Sequence, residues 1–229
     1  TLDRERHLRQ ALEKDIFAVL IDEQQPLTET ELQMLTEAVV MAYSVENLAE
    51  KAGFIAARFY DHPSKDMTVI AVTGTNGKTS VSQFIAQALE SINKACGVIG
   101  TMGAGRLCDL EMTGMTTPDP VTMQKLLAKF KREGCEYVAL EASSHALAQG
   151  RLNSVDINVA VLTNLSRDHL DYHKTMANYA AAKKRLFDME RVEYAVINAD
   201  DSFGTDVISK LKSGVNLLTY GGAQNQVNI

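Results

Sequence analysis

The sequence of 229 residues has no tryptophan, only three cysteines and no apolar run of the length a membrane-spanning helix needs. The missing tryptophan decides nothing. Cys96, Cys108 and Cys135 are odd in number and widely spaced, so they form neither a zinc pattern nor a disulfide framework. Reduced thiols in a cytoplasmic protein are expected instead. Positive charge is also short: 23 Lys and Arg face 29 Asp and Glu, a net charge of -6. With no basic stripe, nucleic acid is disfavoured as the main partner. An anionic nucleotide would have to be held by a few focused positive groups. The first ten residues, TLDRERHLRQ, lack the apolar core of a secretory signal. Internal repeats and low-complexity stretches are absent as well.

Apolar residues make up 45% and charged residues 23%, ordinary for a soluble globular protein. The length suits one sizeable domain, or one domain and part of another. The chain starts without Met, and GGAQNQVNI breaks off just after an expected strand, so both edges read as cuts through a longer protein.

Strand and helix signals alternate. Residues 3–14 and 45–60 read as helices and Phe17 to Ile21 as a strand, which leaves residues 1–62 poor in strands. The polar stretch 61–66, with Pro63, reads as a linker. From Met67 the pattern is regular. Strands are expected at Thr68 to Thr73, Cys96 to Ile99, Tyr137 to Glu141, Val159 to Thr163, Tyr194 to Asn198 and Leu217 to Tyr220. Helices are expected at 78–93, from Pro120 to near Gly134, and at 175–189 and 202–212. This alternation predicts an α/β fold with a mostly parallel sheet and flanking helices.

The strongest local signal follows the strand Thr68 to Thr73. It is the turn Gly74-Thr75-Asn76-Gly77-Lys78-Thr79-Ser80, which opens a helix. Free amides and the dipole at a helix start attract anions. Gly74 and Gly77 let the backbone approach phosphate oxygens. Lys78 can reach β and γ phosphates, and the Thr79 hydroxyl can ligate magnesium. The turn is a shortened relative of the Walker A motif, because Val72 stands where that motif has glycine.

Glu141 ends a strand and is expected on the same sheet edge as this turn, where it can ligate magnesium. The strand Val159 to Thr163 leads to the same edge and into Asn164-Leu165-Ser166-Arg167-Asp168-His169-Leu170-Asp171-Tyr172-His173. His169 and His173 are four apart and would share a helix face. Leu170 follows His169, so this is not the zincin motif. One metal or phosphate ligand is expected here, not two. Lys183 and Lys184 read as a solvated helix face.

Together these residues resemble the Mur ligases. The resemblance rests on Gly74 to Thr79, Glu141-Ala142-Ser143-Ser144-His145, Thr163-Asn164-Leu165 with Asp168 to His173, and Tyr179 to Phe187, in that order. Thr116-Thr117-Pro118 and Gln149-Gly150-Arg151-Leu152 narrow it to the branch that adds the third residue, diaminopimelate or lysine, to UDP-N-acetylmuramoyl-L-alanyl-D-glutamate (UDP-MurNAc-dipeptide). The resemblance implies a P-loop ATPase-like central domain over 67–229, preceded over 1–62 by the end of a small α/β domain that binds the UDP substrate. It also implies a third, amino-acid-binding domain that this chain lacks, so the piece alone would not catalyse ligation.

The implied activity is ATP-dependent amide-bond formation through an acyl phosphate, in peptidoglycan synthesis. By the same resemblance, residues 74–80 hold the ATP phosphates, and Lys78, Lys183 and His169 are catalytic. Thr79 and Glu141 ligate one magnesium, and Glu141, His169 and a carbamylated Lys183 a second. Thr116, Thr117, Ser143, Gln149 and Arg151 match positions that contact the UDP-muramoyl substrate. A cytoplasmic monomer is expected, with diaminopimelate as the incoming residue. The competing expectations are another Mur ligase step, folylpolyglutamate synthase, a nucleotide-binding module without catalysis, and a P-loop ATPase acting on nucleic acid.

Overall fold

The computed structural model describes residues 2–222, which form two compact units divided between Ala52 and Gly53. In the first unit, α1 (Leu2–Leu12), β1 (Ala18–Asp22), α2 (Glu29–Glu37) and β2 (Met41–Val45) follow in order. β1 and β2 pair in parallel from Ala18↔Met41 to Asp22↔Val45. The strand β2 and the helix α2 lie in a stretch whose sequence pattern announced neither. α2 is set by a capping box: Thr28 accepts from the Glu31 amide, and the Glu31 carboxylate accepts from the Thr28 amide. The Glu31 side chain is almost wholly buried and pairs with Arg4, whose Nε donates at 2.6 Å. Arg4 holds that carboxyl down at about 2.

The helix α3 (Leu48–Phe59) starts three residues later than the helix expected from Val45 and contains the division between the units. The polar stretch 61–66 is packed into the second unit. It forms a 3-10 turn over Pro63–Asp66, Pro63 and Ser64 are buried, and Ser64 Oγ accepts from the Asp156 amide at 3.1 Å.

The rest of the second unit is β3 (Thr68–Thr73), α4 (Lys78–Ser91), β4 (Cys96–Gly100), β5 (Gly103–Arg106), β6 (Asp109–Glu111), α5 (Pro120–Arg132), β7 (Tyr137–Glu141), α6 (Ser144–Ala148), β8 (Val159–Leu162), α7 (Leu170–His173), α8 (Met176–Lys184), β9 (Tyr194–Asn198), α9 (Ser202–Ser209) and β10 (Asn216–Tyr220). Its strands make one sheet in the order β10-β9-β8-β3-β7-β4-β5-β6. All pairings are parallel except β4 with β5 and β5 with β6. This antiparallel edge is absent from the sequence expectation. Its strands are short, and Gly103 and Gly105 at φ +119° and +156° give them little strand propensity. The expected mostly parallel α/β sheet with flanking helices is otherwise present.

The apolar runs of β3, β7 and β8 are buried because helices cover the sheet. A continuous core runs through Val69, Ala71, Val138, Leu140, Ala160 and Leu162 to Phe130 of α5. α5 begins as its sequence suggests: Asp119 accepts from the amides of Val121 and Thr122, Pro120 takes the first turn, and Lys129, Lys131 and Arg132 complement the last. After β3 the chain moves to the β7–β4 side, and β8 to β10 lie on the other side of β3. The order therefore reverses between β3 and β8, where ligand sites of open parallel sheets form at the carboxyl ends of the strands.

Among the described residues, no helix is long and apolar enough to cross a membrane. The end of the tail GGAQNQVNI, residues 223–229, lies outside the described residues.

Candidate active site

The turn after β3 is shaped by two glycines at positive φ. Gly74 stands at φ +151°, and a Cβ there would meet Thr163 Oγ1 at 1.8 Å. Gly77, at φ +84°, is the residue before α4 and provides no side-chain cap. The first amides of α4, Lys78 to Ser80, have no acceptor within the helix, which is the donor set an anion needs. Two other amides of the turn are already committed. Thr75 N donates to Asn164 O at 2.9 Å, and Asn76 N donates to Asn164 Oδ1 at 3.0 Å. Asn164 Nδ2 and Thr163 Oγ1 both donate back to Asn76 O, at 3.1 and 2.6 Å. Asn164 and Thr163, just past β8, thus brace the turn across the reversal point. The sequence marked them only as part of the Thr163-Asn164-Leu165 segment of the resemblance, with no role attached beyond polarity at a strand end.

Lys78 curls back over the turn and donates to Gly74 O at 3.0 Å and Thr75 O at 3.1 Å. Burial lowers its pKa, opposed by the charges of Glu141 and Asp168. Lys183 donates to the same Gly74 oxygen at 2.7 Å. The sequence places Lys183 on a solvated helix face, and the structure corrects this: its side chain is 1% exposed. It packs against Tyr179, with Nζ 4.6 Å from the ring centre. Helix α8 has almost no apolar stripe, so periodicity alone could not show which face is inward. Burial, and then repulsion from Lys78, lower the Lys183 pKa to about 7.

Glu141 is buried at the end of β7. Its Oε1 accepts from Thr101 N at 2.9 Å, and its Oε2 from the Thr101 hydroxyl at 3.1 Å. Gly100 keeps the approach open, since a Cβ there would stand 2.2 Å from Glu141 Oε1. The Glu141 backbone oxygen accepts from Thr117 Oγ1 at 2.7 Å, and that hydroxyl in turn lies 3.0 Å from Ser143 Oγ. Thr116 Oγ1 lies 3.1 Å from Thr101 Oγ1.

These groups face one cavity of about 470 Å³, lined by Thr75 to Thr79, Thr116, Thr117, Glu141, Ser143, Arg151 and His169, with Thr101, Met115 and His145 added to the expected set. Four expected residues are not on its wall. Gly74 is buried at the base of the turn, Ser80 is exposed on α4, Gln149 is turned toward Arg151, and Lys183 lies behind the turn.

The histidines divide. His169, at φ +52° before α7, reaches the cavity, whereas His173 is buried with Nε2 2.9 Å from Ser144 Oγ. His145 stands between them, its ring centre 5.0 Å from that of His169 and 5.4 Å from that of His173. Burial lowers the pKa of both His145 and His173; His169 depresses His145 further, and His145 and His169 depress His173 further.

No cluster of three or more His, Cys, Asp or Glu side chains able to hold a metal exists among the described residues. A hydroxyl (Thr79), a carboxylate (Glu141) and an imidazole (His169) do share the cavity wall. Such a sparse, largely oxygen set fits Mg²⁺, which keeps waters and takes phosphate oxygens to complete its shell. As an ammonium, Lys183 cannot be a ligand.

A phosphate-type turn, a strand-end carboxylate and a reversal of strand order on one edge of a parallel sheet define a P-loop-like α/β protein. The chain belongs to the Mur ligase family: the Mur ligase middle domain matches residues 72–229. It is similar to the UDP-N-acetylmuramoyl-L-alanyl-D-glutamate–2,6-diaminopimelate ligase of Coxiella burnetii, 43% identical over 221 residues, covering 96% of this chain and 44% of that protein. The enzyme of the same name from Pseudomonas aeruginosa is 48% identical over 177 residues, covering 77% of this chain and 36% of that one. A solved structure of a UDP-N-acetylmuramoyl-L-alanyl-D-glutamate–2,6-diaminopimelate ligase superposes with a TM-score of 0.77 at 35% identity, over 91% of this chain and 46% of that chain. Mycobacterium tuberculosis folylpolyglutamate synthase shares the fold, with a TM-score of 0.59 at 16% identity over 74% of this chain and 46% of that chain. The chain spans less than half the length of these curated relatives.

Proposed function

We propose that this chain is the nucleotide-binding part of an ATP-dependent ligase that joins diaminopimelate to UDP-N-acetylmuramoyl-L-alanyl-D-glutamate in peptidoglycan synthesis. The observation that carries this is the single cavity holding the phosphate turn, Glu141, His169 and Arg151 in a member of the Mur ligase family. Residues 67–229 are the ATP-binding domain and residues 1–62 the close of a UDP-substrate-binding domain. The setting is a cytoplasmic monomer.

The free amides of α4 and Lys78 hold the ATP phosphates. Lys78 already donates to two carbonyls of the turn, so it stands at the site with little side-chain entropy left to lose. Thr79, Glu141 and His169 would hold magnesium, which neutralises charge on the transferred phosphoryl group. Thr116, Thr117, Ser143 and Arg151 line the acceptor side, where a guanidinium suits an anionic group. The substrate carboxylate attacks the γ phosphorus and ADP leaves. The amine of the incoming residue then attacks the acyl phosphate, phosphate departs with its electron pair, and the amine sheds a proton.

The depressed pKa of Lys183 supports its role as a carbamate. With a pKa of about 7, much of the side chain is neutral amine near neutral pH. The lone pair of that neutral amine adds to carbon dioxide and one proton leaves, which gives a carbamate anion suited to magnesium.

In the longer protein, ADP release should depend on the muramoyl dipeptide, and diaminopimelate should stimulate it more than lysine does. Dipeptide-independent ATP hydrolysis would contradict the ligase. Nucleotide binding without any turnover would identify a non-catalytic binding module instead.

A further inference from the structure

Arg151 reaches the cavity wall, but the residue that controls its direction does not. Gln149, the C-cap of α6, is exposed and off that wall. Its Oε1 accepts from Arg151 Nε at 2.8 Å and from Nη2 at 2.6 Å. Its Nε2 donates to the Tyr172 hydroxyl at 3.1 Å. The amide can point only this way, because a guanidinium has no acceptor and its neighbour must present oxygen. The nitrogen then faces Tyr172, whose ring lies 4.2 Å from that of His145. On its other side Arg151 Nη1 donates to Thr117 O at 2.8 Å.

Of the five guanidinium N–H groups, Gln149 takes two and Thr117 one. A fourth meets only the thioether of Met115 at 3.5 Å, a weak acceptor. One Nη2 hydrogen and this weakly held Nη1 hydrogen are what remain for a ligand.

We propose that Gln149 and Tyr172 are positioning residues. The Tyr172 hydroxyl orients the Gln149 amide, and that amide holds the Arg151 guanidinium so that its two remaining N–H groups meet the oxyanion of the muramoyl dipeptide. The proposal rests on the reading that Arg151 holds this substrate, and it gives Gln149 a role exerted through Arg151. It also joins two parts of the cavity wall, since Tyr172 lies three residues past His169 and its partner His145 stands between the two.

The test uses this chain with ¹⁵N-labelled arginine. Exchange of the Arg151 Nε proton should be slow in the wild type, faster in Tyr172→Phe and fastest in Gln149→Ala. Gln149→Glu keeps the acceptor oxygens and should restore slow exchange. With UDP-N-acetylmuramoyl-L-alanyl-D-glutamate as titrant, Tyr172→Phe should weaken binding roughly threefold to tenfold, the worth of one hydrogen bond. That loss should vanish when Arg151→Ala is already present. Unchanged exchange in both Tyr172→Phe and Gln149→Ala overturns the proposal whether or not any ligand binds. An equal affinity loss with and without Arg151 overturns it as well. Exchange that responds as stated, in a wild type that does not bind the muramoyl dipeptide, upholds the positioning of Arg151 and removes the substrate reading beneath it.

Discussion

The two compact units both contain parallel strands, and they treat them in opposite ways. In the first unit β1 and β2 have no fully buried residue, and Phe17 and Val39 are each 89% exposed. In the second, every residue of β4 is buried, and the carboxyl halves of β3, β7 and β8 are closed on both faces. Parallel strands need cover on both sides, and the helices of the second unit supply it. The rigid edge that results is where the turn, Glu141 and the β8 loop meet. A site that needs placement to within a fraction of an ångström is built on the covered sheet, not on the sparse one.

The largest expected effect tests that contrast directly. Phe130 is fully buried on α5, and a Cβ added at Gly97 of β4 would stand 2.5 Å from its ring. Phe130→Ala should cost about 3–5 kcal/mol in urea unfolding followed by circular dichroism. Phe17→Ala should stay within about 0.5 kcal/mol. Similar losses at both positions would erase the distinction.

A second test concerns the cost of the site itself. Lys183 has a folded pKa of about 7, below its ordinary 10.5. Between these values the unfolded chain holds a proton that the folded chain has released, so stability should rise with pH across that window. Below about pH 7 both forms are protonated and the full penalty applies. The gain should be on the order of 2–4 kcal/mol, and Lys183→Met should flatten it in thermal melts from pH 6 to about 10. An unchanged slope in Lys183→Met would assign the pH dependence to other groups.

The smallest effect belongs to the first unit. Glu31 is held near 2 by Arg4, so its contribution is complete above about pH 4.5 and is lost as pH falls through about 2. Arg4 is open to solvent, which limits the contribution to about 1–2 kcal/mol. Glu31→Gln should lose that amount at pH 7 and nothing below about pH 2. An equal loss at both would mean that the capping geometry matters and the charge does not.

The same contrast decides what was legible in the sequence. β-branched runs bounded by turns announced β3, β7 and β8, and their carboxyl ends placed Glu141 and His169 on the edge of the phosphate turn. β5 was hidden because its glycines carry no hydrophobic pattern, and β6 because Asp109-Leu110-Glu111 is only three residues long and mostly polar. β2 was hidden because Met41 to Val45 is mostly exposed and lacks alternation. The burial of Lys183 was invisible because α8 has alanines on several faces, and only the fold decides which is covered. Asn164 looked like one more polar loop residue. Its backbone and side chain together bind the turn through contacts some 88 residues apart in sequence, a separation no local pattern reports. Gln149 was legible only by resemblance, and its two partners became visible only in the structure.

The most direct measurement is calorimetric titration of MgATP into this chain and into Lys78→Ala. Saturable binding by the wild type, weakened at least about tenfold in a variant that melts at the same temperature, is the predicted result for loss of a charge-assisted phosphate contact. Equal binding by both chains, or none by a folded wild type, would contradict the assignment of Gly74 to Ser80 as the nucleotide site.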